Sequence, residues 1–107
     1  MTPDVFHAIS DPTRRAILDQ LRDGERPASA FVTPRPMSQP ALSQHLRALR
    51  DAGLVRSRKQ GRQRIYALEA ARLREVARWI AHYEAFWDDK LDALGAYLDA
   101  TSQENRP

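Results

Sequence analysis

The chain has 107 residues, 42% of them hydrophobic and 29% charged, with a formal net charge of +3; this is the balance of one folded domain rather than of a disordered or fibrous chain. Cysteine is absent, which excludes a disulfide framework, a thiolate nucleophile and a thiolate metal site. No apolar run is long enough to cross a membrane and the opening MTPDVFHAISDPTRR lacks a secretory core, so the expected location is cytoplasmic.

Residues 1–9 predict a short helix with Val5, Phe6 and Ile9 on its apolar side. Ser10-Asp11-Pro12 restarts the chain, with Asp11 as N-cap and Pro12 in the first helical position. This second helix runs to about Arg22, buries Ile17, Leu18 and Leu21 at helical spacing, and ends before Gly24. Residues 25–37, ERPASAFVTPRPM, break the pattern. Pro27, Pro34 and Pro36 leave room only for a short helix over about 28–33, with Phe31 and Val32 inward.

Ser38 then caps a helix with Pro40 in its first turn. Steps of three and four put Leu42, Leu46 and Leu49 on one face and Pro40, Ser43, Gln44 and Arg47 on the other. Gly53 ends this helix, and Leu54 can fold back in a Schellman-type contact. Val55–Gln60 and Gln63–Leu68 predict two strands around a tight Gly61-Arg62 turn. One long helix follows over about 70–100, with the stripe Leu73, Val76, Ile80, Tyr83, Trp87, Leu91, Leu94 and Leu98. The tail TSQENRP is expected to fray.

Charge is concentrated in residues 38–68. They hold Arg47, Arg50, Arg56, Arg58, Lys59, Arg62 and Arg64 against the one acid Asp51, while the rest of the chain is net acidic. A local basic face on an otherwise acidic chain points to a polyanion. A helix able to enter a major groove, followed at once by a cationic β-ribbon, is the layout of a winged helix-turn-helix.

Three ordered motifs, HAISDPTRRAILDQL, SQPALSQHLRALRDAGLV and RKQGRQRIYAL, resemble those of the ArsR/SmtB-type bacterial repressors over roughly residues 5–69. The resemblance implies a mainly α fold: a winged helix-turn-helix with a two-stranded hairpin wing and a long C-terminal dimerisation helix. Residues 1–107 would form a single domain, with the helix-turn-helix at about 28–52, the wing at about 55–68 and the dimerisation helix at about 70–100. The implied function is a sequence-specific DNA-binding transcriptional regulator, a repressor that binds its operator as a homodimer. Arg35 and Pro36 stand where the family has a bulky and a polar residue, which leaves the length of the preceding helix open.

On that reading Gln39, Pro40, Ser43 and Gln44 face base edges or phosphates, and Arg47 reaches a phosphate or solvent. His45 has two readings, a phosphate contact or a packed histidine at the core's edge. Arg58, Lys59, Arg62 and Arg64 grip phosphate or enter a minor groove; their alternative is a solvated hairpin tip that discourages edge pairing. Phe6, Ile80, Tyr83, Trp87, Leu91, Leu94 and Leu98 are expected at the dimer interface.

The resemblance also raises metal sensing. Thiolate sites of the family need cysteines, and its other common site needs paired Asp and His on the long helix. Here His7, His45 and His82 fall on three separate elements, whereas zinc needs three or four protein ligands. Met37-Ser38-Gln39-Pro40 and the Trp/Tyr-rich last helix resemble the subgroup without metal ligands, so no metal and no cofactor is expected. An inducer, whether small molecule or protein, is not named by these residues. The rival reading is a winged-helix module that docks on an acidic protein. An enzyme is disfavoured, because acid–base pairs are few and no glycine-rich phosphate loop is present.

Overall fold

The computed structural model describes residues 4–104, with side chains described through Ala100. The chain divides into two compact units, the first ending at Val76 and the second beginning at Ala77. The first unit starts with α1 (Val5–Ala8), capped by Asp4, whose carboxylate accepts from the Phe6 N–H. The expected residues 1–3 of this helix lie outside the described residues. Helix α2 (Pro12–Arg22) is capped by Asp11, whose carboxylate accepts from the Arg14 N–H at 3.1 Å. Side-chain caps of this kind are worth about 1 kcal/mol, because the first helical N–H groups have no other partner.

Two short pieces follow: β1 (Arg26–Pro27) and a single 3-10 turn at Ala28–Ala30. This corrects the expected helix over 28–33. Phe31 is already in extended backbone, and prolines on either side remove donors that a longer helix needs. Phe31 packs against the core and meets Tyr66 edge-on at 6.2 Å. Val32 does not turn inward; it is 75% exposed, because successive side chains of an extended segment point to opposite sides. Its backbone is held instead by Gln20. The Gln20 amide donates to the Val32 carbonyl at 2.8 Å and accepts from the Val32 N–H at 2.9 Å.

Helix α3 (Gln39–Asp51) is capped by Ser38, whose hydroxyl accepts from the Ala41 N–H. Leu42, Leu46 and Leu49 are buried along one side. They join Val5, Ile17, Leu18, Leu21, Leu54 and Val55 in one core. Burial of a leucine contributes about 1.5–3 kcal/mol, and Leu49, with no exposed surface, gains the most that its size allows. The helix ends in a Schellman motif: the Gly53 N–H reaches the Arg50 carbonyl at 3.0 Å and the Leu54 N–H reaches the Leu49 carbonyl at 3.0 Å. Gly53 has φ +78°, a conformation costly for any residue with a Cβ.

Strands β2 (Val55–Gln60) and β3 (Gln63–Leu68) form the hairpin, and β1 adds to the far side of β3, so the antiparallel order is β1-β3-β2. Arg26 faces Tyr66 and Pro27 faces Ile65. Gln60 faces Gln63, leaving Gly61 and Arg62 as the turn. Of these two, Gly61 alone has a positive φ, +62°, as in the type II′ turn that suits the twist of hairpin strands. A 3-10 turn at Ala70–Leu73 leads into α4 (Arg74–Glu104). Leu73 and Val76 pack on the first unit's core.

In the second unit α4 continues as a helix to Glu104, four residues past the expected end, since nothing in TSQE forbids helical backbone. Trp79 and Tyr83 meet edge-on at 5.4 Å, and the Lys90 ammonium lies 5.4 Å from the Phe86 ring. Tyr83, Trp87, Leu91, Leu94 and Leu98 stand 45–63% exposed in this one chain.

Candidate nucleic-acid interface

The outward face of α3 follows from its buried face. With Leu42, Leu46 and Leu49 inside, Gln39, Pro40, Ser43, Gln44 and Arg47 are exposed. Arg47 lies 3.9 Å from Asp51 one turn on; such an exposed pair is worth only a few tenths of a kcal/mol and yields readily to a phosphate. The structure therefore brings five of the six helix residues chosen from sequence onto one accessible face.

His45 is the sixth, and it is placed differently. Its Nδ1 accepts from the Arg14 Nε at 3.2 Å and lies 3.9 Å from the Asp11 carboxylate. An Nδ1 that accepts leaves the neutral ring with its proton on Nε2. His45 thus ties the middle of α3 to the start of α2, and Arg14 is a partner that sequence reading did not single out. Burial works to raise the Asp11 pKa, but it is outweighed. The Arg14 and Thr13 backbone N–H groups, the Arg14 charge and, whenever its ring is protonated, the His45 charge hold the carboxyl below its ordinary value.

The hairpin carries its cations on two faces, because opposed residues of an antiparallel pair share a face and neighbours alternate. Arg56 and Arg58 lie with Ala67 and Ile65. Both are engaged by carboxylates, Arg56 with Glu69 at 2.8 Å and Arg58 with Glu25. Ser57 and Lys59 lie with Tyr66 and Arg64 on the other face, the one that carries Tyr66 and Leu68 against the core. Arg62 sits in the turn. Lys59, Arg62 and Arg64 are exposed and have no carboxylate partner among the described residues. Of the four wing residues chosen from sequence, three are free for an external anion and Arg58 is already paired.

Two further residues enter the site. Arg50, in the last turn of α3, donates to the Ser57 hydroxyl at 3.4 Å, and Arg64 donates to the same oxygen at 3.1 Å. No periodicity in the sequence marks this meeting of a helix end with two strands. Among the described residues there is no group of three or more His, Cys, Asp or Glu able to hold a metal.

A capped helix with an exposed polar face, joined through a glycine turn to a cationic hairpin, defines the winged helix-turn-helix class of DNA-binding proteins. Similarity to known proteins narrows this class to a family. The profile described as "Bacterial regulatory protein, arsR family" matches residues 11–57. The transcriptional repressor SdpR of Bacillus subtilis is 35% identical over 80 residues, which cover 75% of this chain and 89% of that one. The HTH-type transcriptional regulator Rv2034 of Mycobacterium tuberculosis is 32% identical over 104 residues, covering 96% and 94%. A crystal structure of the ArsR family transcriptional regulator RHA00566 superposes with a TM-score of 0.68 at 37% identity, covering 78% of this chain and 86% of that one. The chain belongs to the ArsR family of bacterial regulatory proteins, and it is a DNA-binding transcriptional regulator.

Proposed function

We propose that the protein is a repressor that binds its operator as a homodimer, with residues 1–107 acting as one winged-helix module. The observation that carries this reading is the side-by-side exposure of a neutral polar helix face and a row of unpaired wing cations. Ser43 and Gln44 are short polar groups near the start of α3, suited to hydrogen bonds with base edges. Gln39 and Pro40 approach the same groove wall, and Arg47 exchanges Asp51 for a phosphate. Lys59, Arg62 and Arg64 carry charge that suits phosphates of any sequence. Arg58 contributes less, since a phosphate must compete with Glu25. His45 acts by holding α3 to α2 rather than by touching DNA.

The half-buried Ile80 and the exposed Tyr83, Trp87, Leu91, Leu94 and Leu98 support the homodimer. A helix of 31 residues spans about 46 Å, and apolar side chains along such a length favour a second copy. Phe6, 37% exposed on α1, is assigned to the same contact. Among the described residues no helix is long and apolar enough to cross a membrane, and we assign the protein to the cytoplasm. Its role is binding rather than catalysis, without a cofactor. An inducer of unidentified chemistry would release the operator by changing the spacing of the two reading heads, because half-site spacing is a geometric requirement.

The test is fluorescence anisotropy with an operator duplex, selected from genomic fragments, and with a random duplex, each over a salt series. Gln44→Ala is expected to weaken operator binding, by about 1–3 kcal/mol for a useful base contact, and to leave random duplex and salt slope nearly unchanged. Arg62→Ala should weaken both duplexes and flatten the slope by about 0.9 for each phosphate no longer neutralised. If Gln44→Ala weakens both equally, or Arg62→Ala affects the operator alone, this division of labour is wrong.

A further inference from the structure

The geometry points to Arg50, Ser57 and Arg64 as one phosphate clamp that locks the end of the recognition helix to the wing when DNA is bound. This inference rests on the reading that α3 and the hairpin face the duplex together. Arg50 belongs to α3, Ser57 to β2 and Arg64 to β3, so three elements meet at one oxygen. The Ser57 hydroxyl receives the Arg50 Nη1 at 3.4 Å and the Arg64 Nη1 at 3.1 Å.

The charge at this point is uncompensated. Arg47, Arg56, Arg58 and Arg72 each have a carboxylate within reach. Arg50 and Arg64 have none among the described residues, and both are exposed. Two guanidinium groups drawn together by a neutral hydroxyl repel one another and concentrate positive potential where they meet. A phosphodiester resolves the conflict. It offers two anionic oxygens, one for each guanidinium, and guanidinium forks match that geometry through paired N–H groups. Each arginine keeps donors to spare, because a guanidinium has five and the hydroxyl uses one. Ser57 thus acts as a positioning residue. It holds both side chains in the free protein, which lowers the ordering cost when the phosphate arrives.

The position in α3 fits a backbone contact rather than a base contact. Arg50 lies in the last turn, beyond Ser43 and Gln44, where a helix that reads bases with its N-terminal half is leaving the groove. A clamp here sets the angle between helix and wing, and with it the register of both on the duplex.

The test uses the full chain, a fluorescein-labelled random duplex and anisotropy over a salt series, with thermal melting to confirm that each variant is folded. If one phosphate is shared, Arg50→Gln and Arg64→Gln each weaken binding several-fold with little change in slope, because the arginine that remains still neutralises it, and the double variant lowers the slope by about 0.9 per bound chain. Ser57→Ala should weaken binding several-fold at an unchanged slope, because the same phosphate is still neutralised by less ordered side chains. Ser57→Asp should reproduce the slope of the double variant, because its carboxylate fills the clamp from within. Arg50→Lys keeps the charge without the fork and should preserve the slope while losing affinity. Slope losses of about 0.9 in each single variant that add in the double variant would mean two separate phosphates and overturn the clamp, as would an unchanged slope in the double variant. Absence of salt-dependent duplex binding by the wild-type chain is a different outcome, and it would sink the underlying reading as well.

Discussion

Gly53→Ala is the substitution whose cost follows most directly from the geometry. Gly53 has φ +78°, and left-handed backbone costs a residue with a Cβ about 1–2 kcal/mol. A second penalty is local. A Cβ at Gly53 would stand 2.7 Å from the Arg72 Cδ, well inside the roughly 3.5–4.0 Å at which carbon atoms attract. Arg72 must move, loosening its contact with Glu75 at 3.4 Å, an exposed pair worth less than about 1 kcal/mol. Together these give a loss of about 2 kcal/mol, or roughly 8–16 °C in Tm for a chain near 100 residues. Gly61, at φ +62° with nothing within 4 Å of a built Cβ, pays the backbone cost alone. Urea denaturation followed by circular dichroism at fixed protein concentration therefore should rank Gly53→Ala as more damaging than Gly61→Ala. Arg72→Ala in the Gly53→Ala background should recover part of the difference. A Gly53→Ala variant within about 0.5 kcal/mol of wild type would refute the backbone cost, and simple addition of the two losses on removal of Arg72 would refute the clash. The joint also sets the distance between Arg50 and Ser57, so the same variant should weaken duplex binding beyond what its stability loss explains.

Three other outcomes are expected. Trp87→Glu or Leu91→Glu should give monomers or insoluble protein and weaker DNA binding, whereas wild-type chain sedimenting as a monomer at micromolar concentration would rule out the homodimer. Zinc, cadmium and arsenite should leave duplex affinity unchanged, a view overturned by stoichiometric release with zinc that His82→Ala abolishes. Asp11→Asn keeps the cap but removes the charge. The folded carboxyl titrates below its ordinary value of 3.8, so its charge stabilises above about pH 4 and that advantage is lost as pH falls through the folded value. Wild type should therefore exceed Asp11→Asn in urea resistance at pH 7, and the gap should narrow as pH falls below about 4; a gap that widens in acid would contradict the assigned cause.

What the sequence made legible was local. Ser38 and Asp11 announce helix starts, Gly53 and Leu54 announce a helix end, and Gly61-Arg62 announces a hairpin, because each of these signals acts over four or five residues. The leucine spacing of α3 settled which face is buried and so which face is free. Pairings over distance were not legible. The Gln20 side chain replaces a missing helix by holding Val32, and two-residue β1 borrows its order from β3; neither leaves a periodic trace. His45 was open between core edge and phosphate, and its hydrogen bond with Arg14, 31 residues earlier, is one that no local signal reveals. The division of the wing arginines between a paired and an unpaired face depended on Glu25 and Glu69, which charge counting alone does not distinguish from solvated acids.

The most direct test of the central claim, that α3 and the wing together form the DNA-binding face, is to map backbone amide NMR shifts as a short duplex is titrated into labelled protein. The largest changes are predicted over residues 39–50 and 57–64, with Arg50, Ser57 and Arg64 shifting together and little change around Glu25 and Arg56. Changes centred on the face that carries Glu25, Arg56 and Arg58, with α3 unaffected, would contradict the claim.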